Sequence, residues 1–208
     1  MRLELAGKQF DGRPVLGPIT LELAPAQRVA LLGPSGVGKT TLMRIIAGLD
    51  TRFQGRRQVP ERLAMVFQEP NLLPWRTALQ NITLPTGATP DAARALLAQV
   101  GLTGRDAAWP RQLSLGQQRR LALARAFAAR PQILLMDEPF ASLDADTAGR
   151  MLDLTAQLLD DSGAGLVLVT HDPAEAAFLR AQPLRLRGTP ATLGVGEPGA
   201  LPPHPRDI

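Results

Sequence analysis

The sequence predicts an α/β fold with a mostly parallel sheet, antiparallel strands near the N-terminus and an inserted helical segment. Three observations lead there. Short apolar stretches at 28–32, 63–67, 133–136 and 165–170 alternate with helical patterns, as strands covered on both faces do. The first of these runs into a glycine-rich loop and then a helix over 41–47 that stops at Gly48. The interval 69–131 breaks the alternation and is mostly helical, as an inserted subdomain would be.

Taken in order, residues 2–5 and 19–23 alternate in polarity and read as antiparallel edge strands, with Phe10 between them. After the helix over 41–47, the polar interval 50–62 reads as a connection. The strand over 63–67 ends at Gln68, and a proline-punctuated stretch fills 70–90. Thr89-Pro90-Asp91 starts a helix running to Gly101, with proline well placed in its first turn. Ser114 opens a helix over 115–129, closed by Arg130-Pro131. A helix spans about 145–161. Asp172-Pro173-Ala174-Glu175 has the cap, the proline and the acid of a helix start. A short strand at 184–186 leads to residues 188–208, rich in Gly and Pro and without periodicity. These are expected as a loop-like tail beyond a domain of residues 1–187, with no room for a further regulatory domain.

Composition narrows the class. A length of 208 residues fits one domain, or one with a subdomain. At 45% hydrophobic, 4% aromatic and no Tyr, the core must be aliphatic. Zero Cys excludes disulfides, thiolate metal sites and a Cys nucleophile. The sequence opens as a strand rather than a signal peptide, and no apolar run reaches the roughly 18 residues of a membrane span. The net charge of +4 is carried by scattered Arg with no basic run beyond Arg56-Arg57 or Arg119-Arg120. That reads as solvated helix faces, not a nucleic-acid surface.

The stretch Gly33-Pro34-Ser35-Gly36-Val37-Gly38-Lys39-Thr40 organises the rest. It fits G-x-x-x-x-G-K-[ST], the phosphate-binding P-loop, in the strand–loop–helix setting such a loop requires. Glycines let successive N–H groups turn toward phosphate oxygens, and the following helix aims its positive end at the same anion. Lys39 supplies a point charge for the β- and γ-phosphates, and the Thr40 hydroxyl a ligand for Mg²⁺. Thr41 follows within reach of the same phosphates. The only lysines are Lys8 and Lys39, so this chain uses Lys at the P-loop where it otherwise prefers Arg. A second carboxylate site follows the buried strand 133–136: Asp137, to hold Mg²⁺, and Glu138, expected on the opposite side of the strand, to polarise the attacking water.

Leu113-Ser114-Leu115-Gly116-Gln117-Gln118 completes the pattern. By itself Ser114 with Gln117 is a capping box. With the P-loop and the Asp137–Glu138 pair it resembles the signature of ATP-binding subunits of ABC transporters, Leu-Ser-Gly-Gly-Gln, over roughly residues 1–187. Leu115 departs from that pattern at its first Gly and puts the backbone freedom there in question. The resemblance implies that Ser114, Leu115, Gly116 and Gln117 face the γ-phosphate held by a second subunit. It implies that Gln68 is the Q-loop glutamine near Mg²⁺, that Ser142, Leu143 and Asp144 form the D-loop, and that His171 is the switch histidine. A lone His after a strand is more often structural, and the place of His171 between an apolar strand and a capped helix favours the functional reading. Phe10 is implied as the adenine platform, flanked by Val15, and the other reading is a core Phe between two strands. The interval from Lys39 to Gln68 is shorter than the family usually has, so the antiparallel subdomain there is expected to be trimmed.

The resemblance implies a nucleotide-sandwich homodimer, or a paired ATPase subunit, that binds ATP and Mg²⁺. It would drive an integral membrane permease from the cytoplasmic face of the membrane, in a system with a solute-binding protein. Leu72, Leu73 and Trp75 either line the groove for that permease or are buried in the helical subdomain. The Leu-Leu-Pro-Trp segment resembles subunits serving nitrate, sulfonate, taurine or thiamine-precursor uptake. Two other readings stay open: a soluble ABC-type ATPase of iron–sulfur assembly or DNA work, and a regulator that binds nucleotide without hydrolysing it. The catalytic type of Glu138 argues against the last.

Overall fold

The computed structural model describes residues 1–195. Its strands are β1 (Arg2–Phe10), β2 (Arg13–Leu16), β3 (Ile19–Glu22), β4 (Arg28–Leu32), β5 (Gln54–Gln58), β6 (Leu63–Val66), β7 (Ile133–Asp137), β8 (Gly165–Val169), β9 (Gln182–Gly188) and β10 (Ala191–Val195). The helices are α1 (Lys39–Ala47), α2 (Ala78–Thr86), α3 (Pro90–Gln99), α4 (Leu115–Ala128), α5 (Ala145–Ser162) and α6 (Pro173–Phe178). One sheet runs β3-β1-β2-β10-β9-β4-β8-β7-β6, with β5 added on β1. Strands β9, β4, β8, β7 and β6 are parallel; β1 pairs antiparallel with β2, β3 and β5. The mostly parallel α/β architecture is the one expected.

The central strands are apolar on both sides because each side has its own layer. Leu135, Val167 and Val169 pack with Leu31 and with Leu42, Met43, Ile45 and Ile46 of α1, beside Leu3, Leu5 and Leu21 of the antiparallel strands. Leu134, Met136, Leu166 and Leu168 face the other way, into a core shared by α2 to α6. Period-two alternation along β7 and β8 therefore sorts each strand between two cores. Both strands end at the same edge, where α1 begins. Loops at that edge form the crevice typical of open α/β sheets.

Four expectations change. The interval 50–62 contains β5, an almost fully exposed polar strand that adds to the antiparallel strands, so that subdomain is short but present. The proline-punctuated stretch contains α2, started by Thr77 and Gln80 as a capping box, with Pro85 confined to its last turn. Phe10 is not between strands: it ends β1, and a further strand, β2, turns back beside it. The expected boundary at 187 falls within β9, and the supposed tail supplies β10, hydrogen-bonded along β9. Residues 196–208 of that tail lie outside the described residues.

Candidate functional site

The site begins where β4 stops. The Gly33 backbone passes so close to β9 that a side chain's first carbon would lie 2.6 Å from the Leu186 carbonyl oxygen. Gly38 has φ 110°, and a side chain there would meet Leu16 at 2.7 Å. Only glycine satisfies both positions. Gly38 is also the N-cap of α1 and provides no side-chain cap, so the first amides of the helix remain available to an anion. Pro34 and Val37 close the turn between them, with Val37 N–H donating to the Pro34 carbonyl at 3.4 Å.

A cleft of about 440 Å³ opens on this loop. Val15, Ser35, Gly36, Gly38, Lys39, Thr40, Thr41, Gln68, Asp137 and Glu138 line it. Lys39 is buried, and its ammonium donates to the carbonyls of Gly33 at 2.7 Å and Pro34 at 2.9 Å. The Thr40 hydroxyl donates to Asp137 Oδ1 at 3.3 Å, which ties the P-loop to the end of β7. Burial pushes the Asp137 carboxyl above its ordinary value, with the charge of Glu138 adding to the rise; the Thr40 bond and the Lys39 charge oppose it.

Glu138 shares the cleft with Asp137, contrary to the alternation expected of consecutive strand residues. The strand ends at Asp137, and Glu138 adopts φ 46°, a left-handed conformation that ends the alternation. Its amide donates to the Val169 carbonyl at 2.9 Å, which anchors the turn to β8. Beyond β8, His171 Nδ1 lies 3.9 Å from Glu138 Oε2, with the imidazole two-thirds exposed. A pair that the sequence did not suggest frames this histidine. The nearly inaccessible Thr170 hydroxyl donates to Glu175 and accepts the Asp172 N–H at 3.0 Å. Glu175 therefore faces Thr170, while Asp172 caps α6 through Ala174 N–H. Burial raises the Glu175 carboxyl above its ordinary value, against the Thr170 bond.

Phe10 is outside the lining of the cleft. Its ring is 44% exposed, which removes the core reading, and the Lys8 ammonium sits 4.4 Å from the ring centroid. Lys8 is itself buried and bonded to Asp50 and the Arg52 carbonyl. The β1–β2 turn thus joins an open aromatic face to Val15 at the cleft.

Ser114, Leu115 and Gly116 lie elsewhere. They line a separate cavity of about 700 Å³ with Ser142, Leu143 and Asp144. Ser114 Oγ accepts Gln117 N–H at 3.3 Å and Gln117 Oε1 accepts Ser114 N–H at 2.9 Å, the expected capping box of α4. Asp144 caps α5, and its bond from Thr147 holds its carboxyl below the ordinary range.

Comparison with known proteins fits this arrangement. A family model described as ABC transporter matches residues 16–141. The aliphatic sulfonates import ATP-binding protein SsuB 1 of Xanthomonas axonopodis pv. citri is 42% identical over 223 residues, which is 100% of this chain and 88% of that protein. SsuB of Granulibacter bethesdensis is 48% identical over 174 residues, 83% of this chain and 73% of that one. A solved dimeric, post-hydrolysis ATP-binding cassette bound to ADP and Pi is 30% identical, with TM-score 0.74 over 89% of this chain and 94% of that one.

The chain belongs to the ABC transporter family. Leu115, the departure from the usual ABC signature, is the first residue of α4 and is not among the positive-φ residues, so its position makes no demand for glycine. The segment after Gln68 is held from two sides. Arg125 of α4 donates to the carbonyls of Asn71 at 2.8 Å and Pro70 at 3.0 Å. The fully buried Asn81 of α2 accepts Leu73 N–H at 2.7 Å and donates to the carbonyls of Leu73, Arg76 and Thr77. Leu72 packs on the helical core, whereas Trp75 is 62% exposed. Leu72 therefore takes the buried reading, and Trp75 does not. Asn81 and Arg125 could have been found from the sequence only as polar residues on otherwise apolar helix faces.

Proposed function

We propose that this chain is the ATP-binding and ATP-hydrolysing subunit of an ABC importer, working as a dimer on a separate membrane permease. One observation carries the reading. Lys39, Thr40, Gln68, Asp137 and Glu138 share one cleft, while Ser114, Gly116 and the D-loop residues share another cavity. A phosphate chain in the first cleft needs a second subunit to bring a signature against it. Among the described residues no helix is long and apolar enough to cross a membrane, so transport requires a partner that does.

The residues present fit ATP with Mg²⁺. No cluster of carboxylates and histidines able to hold a metal alone exists among the described residues. Mg²⁺ characteristically takes one or two protein ligands with phosphate oxygens and waters, and Thr40 with Asp137, near Gln68, provides that donor set. Bound there, the ion would neutralise charge on the β- and γ-phosphates. The protein's own residues do the rest. The amides of Gly36 to Thr40 and the Lys39 ammonium, released from the Gly33 and Pro34 carbonyls, hold the phosphates. Glu138 accepts a proton from the attacking water, and His171 contacts the γ-phosphate. Phe10 stacks on the adenine. Ser114 and Gly116 of the second subunit close the site, across an interface to which Ser142, Leu143 and Asp144 contribute.

Trp75 and the clamped segment 70–77 form the surface offered to the permease from the cytoplasmic face of the membrane. A solute-binding protein delivers cargo on the other side, and the sulfonate transport named for the relatives makes aliphatic sulfonates the first cargo to test. Iron–sulfur assembly or DNA work has no support from the named relatives. The test is a pull-down from detergent-solubilised host membranes with tagged Glu138→Gln protein in MgATP, read by mass spectrometry. Recovery of a multi-spanning protein is expected. Recovery of soluble partners alone would retain the ATPase chemistry and reject the transporter.

A further inference from the structure

Arg119 is the strangest charged residue in the structure. It lies in the second turn of α4, five residues after Ser114, and only 7% of it is exposed. Arginine is rarely buried to this degree unless paired, yet no salt bridge to it exists among the described residues. One guanidinium nitrogen donates to the Ala141 carbonyl at 2.7 Å. Ala141 immediately precedes Ser142, which holds φ 60° at the start of the D-loop. Arg119 Nε is buried with no hydrogen-bond partner among the described residues. Burial lowers the proton affinity of the guanidinium, and the charge that opposes this is Glu69, the neighbour of Gln68.

This arrangement is costly. A buried, unsatisfied N–H on a charged group destabilises the fold, and an apolar side chain of similar volume would avoid that cost. The same guanidinium joins two segments that the nucleotide mechanism must keep in step: the signature helix that bears it and the D-loop turn it holds. We propose that Arg119 is a positioning residue that fixes the D-loop turn from the signature helix. It does not touch nucleotide. It sets the relative placement of Ser114 and Ser142 on one subunit.

The inference rests on the ATPase reading, and the experiment separates the two. ATP turnover, equilibrium ATP affinity and thermal stability are measured on the full chain as wild type, Arg119→Met and Arg119→Lys. Wild type hydrolyses ATP. Arg119→Met lowers kcat by about three- to thirtyfold, the range of a coupling residue, with ATP affinity unchanged. Arg119→Lys, which keeps the charge and a donor for Ala141, recovers most of the loss. If Arg119→Met does not fold, Arg119→Leu takes its place, since it also removes the donor for Ala141. An inactive wild type would overturn the ATPase reading and this proposal with it. Active wild type with Arg119→Met altered only in melting temperature would overturn the positioning role alone.

Discussion

Replacing Asn81 tests how the segment after Gln68 is held. Its side chain makes four bonds: it accepts Leu73 N–H at 2.7 Å and donates to Leu73 O at 3.1 Å, Arg76 O at 3.0 Å and Thr77 O at 3.1 Å. Asn81→Ala removes all four, but the losses differ. Thr77 O still receives the Asn81 N–H at 2.8 Å, and Leu73 O still receives Arg76 N–H at 3.1 Å. Leu73 N–H and Arg76 O lose the side-chain partner that satisfies them. At about 1 kcal/mol net per bond, with more where a group is left unsatisfied, the expected loss is about 3–4 kcal/mol. Asn81→Asp keeps the Leu73 N–H bond but sets carboxylate oxygens against three carbonyls in a fully buried position, so it must be worse than alanine at neutral pH. Urea unfolding read at unchanged m-value gives both numbers. Amide exchange of residues 70–77 should rise in the alanine variant. An alanine variant within about 0.5 kcal/mol of wild type, or an aspartate variant more stable than it, would refute the clamp.

Three further outcomes follow from the same geometry. Phe10→Ala should weaken ATP binding by about 5- to 150-fold, since base stacking on an aromatic contributes roughly 1–3 kcal/mol; an unchanged Kd in calorimetry would remove Phe10 from the site. Asp50 is held below its ordinary carboxylate range chiefly by its bond from Lys8, so the unfolded chain takes up that proton first. The stability it contributes is present above about pH 3.9, the ordinary Asp value, and is lost as pH falls through the lower folded value. Asp50→Asn should flatten that acid limb in a series of urea melts, and a limb of unchanged slope would contradict the assignment. Leu115→Gly should leave ATP turnover within about twofold and cost at most about 1 kcal/mol of stability, because the position is helical and half-exposed; a large gain in turnover would show that the leucine impairs the signature.

What could be read from the sequence was whatever local chemistry dictates. The P-loop needs its glycines and lysine at fixed spacing after a strand, and 28–47 folds as that pattern requires. The apolar runs at 133–136 and 165–170 could only be central strands, and Ser114, Thr89 and Asp172 announced their helices as caps. The misses share a cause: their order comes from partners distant in sequence. Strand β5, Gln-Gly-Arg-Arg-Gln, has no apolar face and exists because β1 offers an edge. Strand β10 exists because β9 does. Helix α2 was hidden by Pro74 and Pro85, although Thr77 with Gln80 carries the same capping box that revealed α4. The shared cleft of Asp137 and Glu138 depends on one left-handed residue, which no periodicity reports. Arg119 looked like an ordinary polar helix residue, and Asn81 lay in a stretch with no expected helix, until their surroundings closed over them.

Glu138 is the residue proposed to turn ATP binding into hydrolysis. Equilibrium ATP binding and steady-state turnover should be measured side by side for wild type and Glu138→Gln. The prediction is that both bind MgATP equally while turnover falls by about a hundredfold or more in the variant, the scale of a lost general base. A wild-type chain that binds but never hydrolyses ATP, or a variant that hydrolyses as fast as wild type, would contradict it.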